Sequence, residues 1–176
     1  KTRGFKDVFS TSNAEEVGDE PLFYATRFPT IRVAVCESRF VGIQNLRSVE
    51  IPGVLLLDDA FQHRAVKAGL NIILTQFEHP YFSDHMLPAG NLREWKSGKS
   101  RADLVIVTKC PSELSLETKE TYIKRLKFDP SSVYFSSIVY GEMIPFHTTA
   151  ASIKSVLLVT GIANPEPLKT HLEKNY

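Results

Sequence analysis

The stretch Val54-Leu55-Leu56-Leu57-Asp58-Asp59-Ala60-Phe61-Gln62-His63-Arg64 decides how the chain is read. Its four consecutive branched aliphatic residues match a strand buried on both faces of a parallel sheet, where the alternation of apolar and polar side chains is lost. The two carboxylates that follow then stand at the carboxyl edge of that sheet, the edge at which open α/β folds bind ligands. In phosphoryl-transfer enzymes an acid so placed holds the magnesium that bridges the β- and γ-phosphates. The commoner meaning of so short a pattern is structural: Asp59 caps the next helix and Asp58 faces water. This segment alone leaves both readings open.

Outward from it, apolar runs at 31–35, 71–75, 104–108, 133–136 and 156–160 read as further strands. Helical signals lie between them. Residues 19–28 begin with acids and Pro21 in the first turn and stop before Pro29. Helices are also predicted over 38–47 and 60–67, and over 115–127 with Ser115 as N-cap and Tyr122, Ile123 and Leu126 on the apolar face. A last one opens at Asn164-Pro165-Glu166, an N-cap, a proline at the first helical position and an acid beside the dipole. Such alternation predicts an α/β fold with a mostly parallel sheet and right-handed crossovers. In 136–151 the pattern breaks, and Tyr140-Gly141-Glu142 reads as the turn of a hairpin or a linker between sub-domains.

Composition is that of an ordinary globular chain: 176 residues, 43% apolar and 23% charged. A chain this long buries about 70% of its unfolded surface, enough to fold without a disulfide or metal staple. With 21 basic and 20 acidic residues the net charge is +1, which gives no electrostatic reason to expect nucleic acid as a partner. Cys36 and Cys110 belong to no CxxC or Cys/His ligand pattern and read as buried thiols of a reducing, cytoplasmic setting. No run approaches the ~18 apolar residues of a membrane span. The chain opens without Met and stops within a helical pattern, as a piece cut from a longer protein would.

A magnesium site for a nucleotide demands a phosphate-cradling loop. Gly98-Lys99-Ser100 resembles the end of a Walker A motif, but the position of its first glycine is taken by Arg93, so the segment reads as a polar turn. The loop Met86-Leu87-Pro88-Ala89-Gly90-Asn91-Leu92-Arg93-Glu94 offers a guanidinium suited to phosphate, or else a local Arg93–Glu94 pair. His79, His85, His147 and His171 lack ligand spacing.

Taken in order, several segments form one series: Val17-Gly18-Asp19-Glu20-Pro21-Leu22, Asp58-Asp59-Ala60-Phe61-Gln62-His63-Arg64, Leu87-Pro88-Ala89-Gly90-Asn91-Leu92-Arg93-Glu94, Arg101-Ala102-Asp103, Val107-Thr108-Lys109 and Thr160-Gly161-Ile162-Ala163-Asn164-Pro165. The series resembles the tetraacyldisaccharide 4′-kinases of lipid A biosynthesis in Gram-negative bacteria, over essentially the whole chain. The DD-x-FQH and LPAG-x-LRE elements are specific to that family.

The resemblance implies a P-loop NTPase-like α/β kinase of two lobes joined by a β-ribbon. Its partition would be 1–137 as partial kinase core, 138–151 as ribbon and 152–176 as the start of the second lobe. It further implies transfer of the γ-phosphate of ATP, with Mg2+, to the 4′-hydroxyl of an acylated disaccharide 1-phosphate at the cytoplasmic face of the inner membrane. On this basis Asp19 falls where the family has its proposed catalytic base, and its plain reading is a helix N-cap. Asp58 and Asp59 fall on the magnesium-binding acids, Gln62 and His63 on the rest of that motif, and Arg93 near phosphate or substrate. Two residues depart from the family pattern, Ala60 for glycine and Trp95 for proline, and both are expected to adjust backbone rather than chemistry. The Walker A loop and a membrane-binding helix are expected upstream, and a histidine that pairs with the base downstream. The rival readings are another P-loop ATPase or GTPase and a non-catalytic α/β binding domain.

Overall fold

Two three-residue strands, β1 (Lys6–Val8) and β2 (Val33–Val35), pair antiparallel with Val8 opposite Val33 and Lys6 opposite Val35. The fork of Arg32 donates to both oxygens of Asp7 at 2.7 and 2.9 Å and pins that register. The computed structural model describes residues 3–141, 143–144, 155–162 and 164–175. The chain divides into two compact units, Lys1–Ile73 with Asp84–Val105, and Leu74–Ser83 with Ile106–Tyr176.

In the first unit, α1 (Ala14–Val17) starts where the Asn13 side chain accepts the Glu15 N–H at 2.9 Å. Gly18, at φ 95°, then turns the chain straight into α2 (Asp19–Arg27), a conformation a Cβ would penalise. Val8, Val17 and Ala25 form a buried cluster, with Leu22, Val33 and Val35 packed against it. Helix α3 (Arg39–Val49) is capped by Ser38 and follows the predicted 38–47 closely.

Three expectations fail in this unit. Residues 31–35 were expected in a parallel sheet, yet Val33–Val35 pairs antiparallel with a strand the sequence does not signal. The reason is that Lys6-Asp7-Val8 is too short and too charged to show periodicity, and its position is set by the Asp7–Arg32 pair and by burial of Val8. No strand forms over 54–57, where Val54 is 79% and Leu56 88% exposed. Residues 60–67 form successive turns rather than a helix, closed by His63 N–H to Ala60 O at 2.8 Å and Val66 N–H to His63 O at 3.2 Å. Here Asp59 takes a left-handed φ of 44°, and the Phe61 carbonyl accepts from Arg101 at 3.2 Å instead of from a helical N–H.

The second unit holds a sheet of order β3-β4-β5: Ile72–Gln76, Leu104–Cys110 and Val133–Ser137, with β3 and β4 contributing all but their first two residues to the unit. The bonds Asp103 N–H to Asn71 O and Phe77 N–H to Thr108 O advance together along both strands, so β3 and β4 run parallel. The crossover from β4 to β5 is α4 (Leu116–Leu126), opened by Ser115 accepting the Thr118 N–H at 3.2 Å. Val107 and Leu126 are fully buried. Tyr122 of α4 stacks on Phe77 at 4.7 Å between ring centres and donates to the Phe77 carbonyl. Residues 156–160 form no strand, and α5 (Glu166–Asn175) begins where the Asn164 side chain accepts the Glu166 N–H. The ribbon expected over 138–151 falls largely outside the described residues. Among those described, no helix is long and apolar enough to cross a membrane.

Tyr81 donates to the Leu126 carbonyl at 3.2 Å, and burial pushes its phenol from 10.0 up to about 12. The unfolded chain therefore releases this proton first, and folding stability declines between pH 10 and about 12. Tyr81→Phe is expected to remove that part of the alkaline decline, read as the urea midpoint across the same range.

Candidate functional site

All six residues singled out from the sequence lie in the first unit. Asp19 opens α2 and is exposed, one residue after the Gly18 turn. One turn along the helix, Tyr24 donates to Glu20 at 3.4 Å. The charge of Asp58, foremost, and then of Glu20 raises the Tyr24 phenol above its ordinary value, so the Asp58 carboxylate acts within electrostatic reach of α2.

Asp59 is held differently. Its left-handed backbone is one that aspartate tolerates better than most side chains, and its carboxylate takes the Arg93 guanidinium at 2.7 Å. Because the left-handed residue of this turn is Asp59, Ala60 has no need of glycine's freedom, which accounts for one departure from the family pattern. Trp95 accounts for the other: it sits at φ −60° and ψ 145°, the extended conformation that a proline ring would impose.

Arg93 is presented by a loop that its own backbone closes. Leu87 N–H donates to Leu92 O at 3.1 Å, and Leu92 N–H to His85 O at 3.0 Å. Asp84 accepts the backbone N–H groups of His85 at 2.7 Å and Asn91 at 3.2 Å, and these bonds hold its carboxyl below the ordinary value. Gly90 is required here by close approach, since a Cβ would meet the Asp84 carboxylate and the His85 backbone.

The sequence left open a local Arg93–Glu94 pair, and the structure sends the two residues to distant partners. Glu94, its side chain only 20% exposed, accepts from Arg101 at 2.8 and 2.9 Å, and from Arg64 and Gln62 at 3.3 Å each. Its partial burial would raise its pKa, but the bonds and charge of Arg101, with Arg64 and Gln62, outweigh this and hold it below the ordinary value. Arg101 also covers the Phe61 ring at 4.4 Å. Neighbouring residues 93 and 94 thus hold both ends of the turn 59–64. Sequence reasoning missed Glu94 and Arg101 as organisers, although both stand in the quoted motifs. Among the described residues, neither Asp19 nor His63 enters an ion pair. Gly98-Lys99-Ser100 lies in a 3₁₀ turn, Lys96–Arg101, as a polar turn should.

A family model described as Tetraacyldisaccharide-1-P 4'-kinase matches residues 1–176. The tetraacyldisaccharide 4'-kinase of Flavobacterium psychrophilum is 43% identical, covering 98% of this chain and 53% of that protein. Those of Bacteroides fragilis, 42% identical over 98% of the chain, and Cytophaga hutchinsonii, 39% over 100%, are covered to 50% and 51% of their length. The chain spans about half the length of these curated relatives. No solved structure matches.

Glu94→Gln is expected to lower stability by about 1 kcal/mol at neutral pH, a charge-assisted bond discounted for its solvent access. A depressed carboxyl stabilises above its unfolded pKa and loses that contribution as pH falls through the folded value. Urea midpoints of the two proteins should therefore converge in acid.

Proposed function

Because the chain belongs to the tetraacyldisaccharide-1-phosphate 4'-kinase family, we propose that the protein containing it phosphorylates the 4′-hydroxyl of an acylated disaccharide 1-phosphate, using ATP and Mg2+. The observation that carries this reading is the ion pair between Asp59 and Arg93, which joins the DD-x-FQH turn to the LPAG-x-LRE loop. Two family-specific segments, 34 residues apart in sequence, thereby meet in one charged cluster. Phosphoryl transfer draws mainly on positioning and charge, and such a cluster supplies both.

Asp58 and Asp59 would hold the metal. Magnesium asks for hard oxygen donors and usually takes one or two carboxylates, with water and substrate phosphate completing its shell. Two adjacent, exposed carboxylates fit that demand. Bound there, the ion would neutralise charge on the phosphates. Arg93, 60% exposed and already beside Asp59, has donors to spare for a phosphate or for the acceptor. Asp19 would orient the sugar hydroxyl and accept its proton, and the exposed position at the start of α2 leaves its carboxylate accessible for this. Gln62 and His63 complete the motif, Gln62 by holding Glu94. Work on a lipid acceptor at the cytoplasmic face of the inner membrane, through segments outside this chain, completes the proposal.

In the full-length protein, Asp19→Asn is expected to lower kcat by about 10²–10⁴-fold with little change in the KM for ATP. Asp58→Asn and Asp59→Asn should raise the Mg2+ concentration needed for half-maximal rate. Undiminished transfer by all three variants would refute the assignment. The 176 residues by themselves are expected to transfer no phosphate to the disaccharide, and detectable transfer by the purified fragment would refute that expectation.

A further inference from the structure

Beside the Arg93 loop lies a concave surface of about 420 Å³, within the size range of small-molecule sites. Met86, Leu92 and Trp95 line it together with Asp84, His85 and Lys96. The one anion in this lining is already committed, because Asp84 accepts the backbone N–H groups of its own loop. The lining is therefore apolar with a cationic component. Trp95 is 74% exposed, a costly position for so large an apolar ring unless something covers it. Arg93 lies between Leu92 and Trp95 in the chain and points its guanidinium at Asp59, so the cleft and the phosphate site share one short segment.

An apolar cleft bordered by Arg93 and Lys96 complements an anionic amphiphile with a hydrocarbon tail. We propose that it seats one acyl chain of the acceptor, with the anionic sugar head toward Arg93. The inference rests on the kinase reading above and adds to it a tail site that discriminates acylated from bare disaccharide. The cleft's shape is set in advance by the closed loop and by Gly90, so an incoming chain meets a formed surface. Burial of the Trp95 ring would then contribute to acceptor binding.

The test uses the full-length protein with the tetraacyl disaccharide 1-phosphate and its deacylated counterpart as acceptors, and measures acceptor binding without ATP alongside turnover. Trp95→Ala is expected to reduce the preference in kcat/KM for the acylated acceptor about tenfold, with the loss in KM, as removal of uniform binding requires. Trp95→Phe, which keeps an aromatic ring, should restore most of that preference. An unchanged preference in Trp95→Ala, or equal losses on both acceptors, would overturn the acyl site while leaving the kinase reading intact. So would weakened binding of Trp95→Ala to phosphatidylglycerol vesicles lacking acceptor with its acceptor KM unchanged, which would give the cleft to bilayer lipid. Trp95-dependent binding of the acylated acceptor by a wild-type protein that transfers no phosphate would instead sink the kinase reading and support the tail site.

Discussion

The arrangement of the candidate site depends on the carboxylate of Glu94. Between the end of α3 and the start of β3 the chain has no regular structure, so backbone hydrogen bonding cannot order it. Side chains must do so, and Glu94 gathers Gln62, Arg64 and Arg101 onto two oxygens. Bidentate contact with Arg101 sets direction as well as distance, and the cation over Phe61 extends the grip to the turn's apolar side. With Glu94 held on one side, its neighbour Arg93 reaches the other end of the same turn at Asp59. A loop and a turn with little secondary structure of their own are thereby fixed against each other.

Several local features serve that arrangement. The closed loop from Asp84 to Leu92 leaves no room for a side chain at Gly90, so its shape is specified before any partner arrives. The left-handed backbone at Asp59 bends the chain directly after the two acids and lets the carboxylate meet Arg93. Both departures from the family pattern keep the backbone that the usual residues would impose. Ala60 sits where no positive φ is needed, and Trp95 retains a proline-like φ. What changes at position 95 is the side chain, from a small ring to a large exposed indole.

Elements that carry their own signals were legible in the sequence. Helices α2, α3, α4 and α5 have caps, acids at the start or prolines at the boundary, and they lie within a few residues of their expected spans. Strands β3, β4 and β5 are runs rich in β-branched residues whose neighbours also belong to the chain, so apolar pattern and pairing agree. Where the pairing partner carries no signal, the reading failed: Val33–Val35 found an antiparallel neighbour in the short, charged Lys6–Val8. The run 54–57 shows the converse, an apolar pattern without a strand among the described residues. Periodicity reports which side chains seek burial and cannot report which backbone lies alongside to complete the ladder.

The sequence by itself determined the α/β class, the ordered motif series and hence the family, because these rest on residue identity and local spacing. It also supplied the acids at 58 and 59 and the arginine at 93. Only the tertiary structure decided their partners. Arg93 and Glu94 are adjacent in the chain and could have neutralised each other, yet one pairs with Asp59 and the other with Arg101, Arg64 and Gln62. Attraction between charges falls with distance in space, and a folded loop sets that distance independently of separation along the chain.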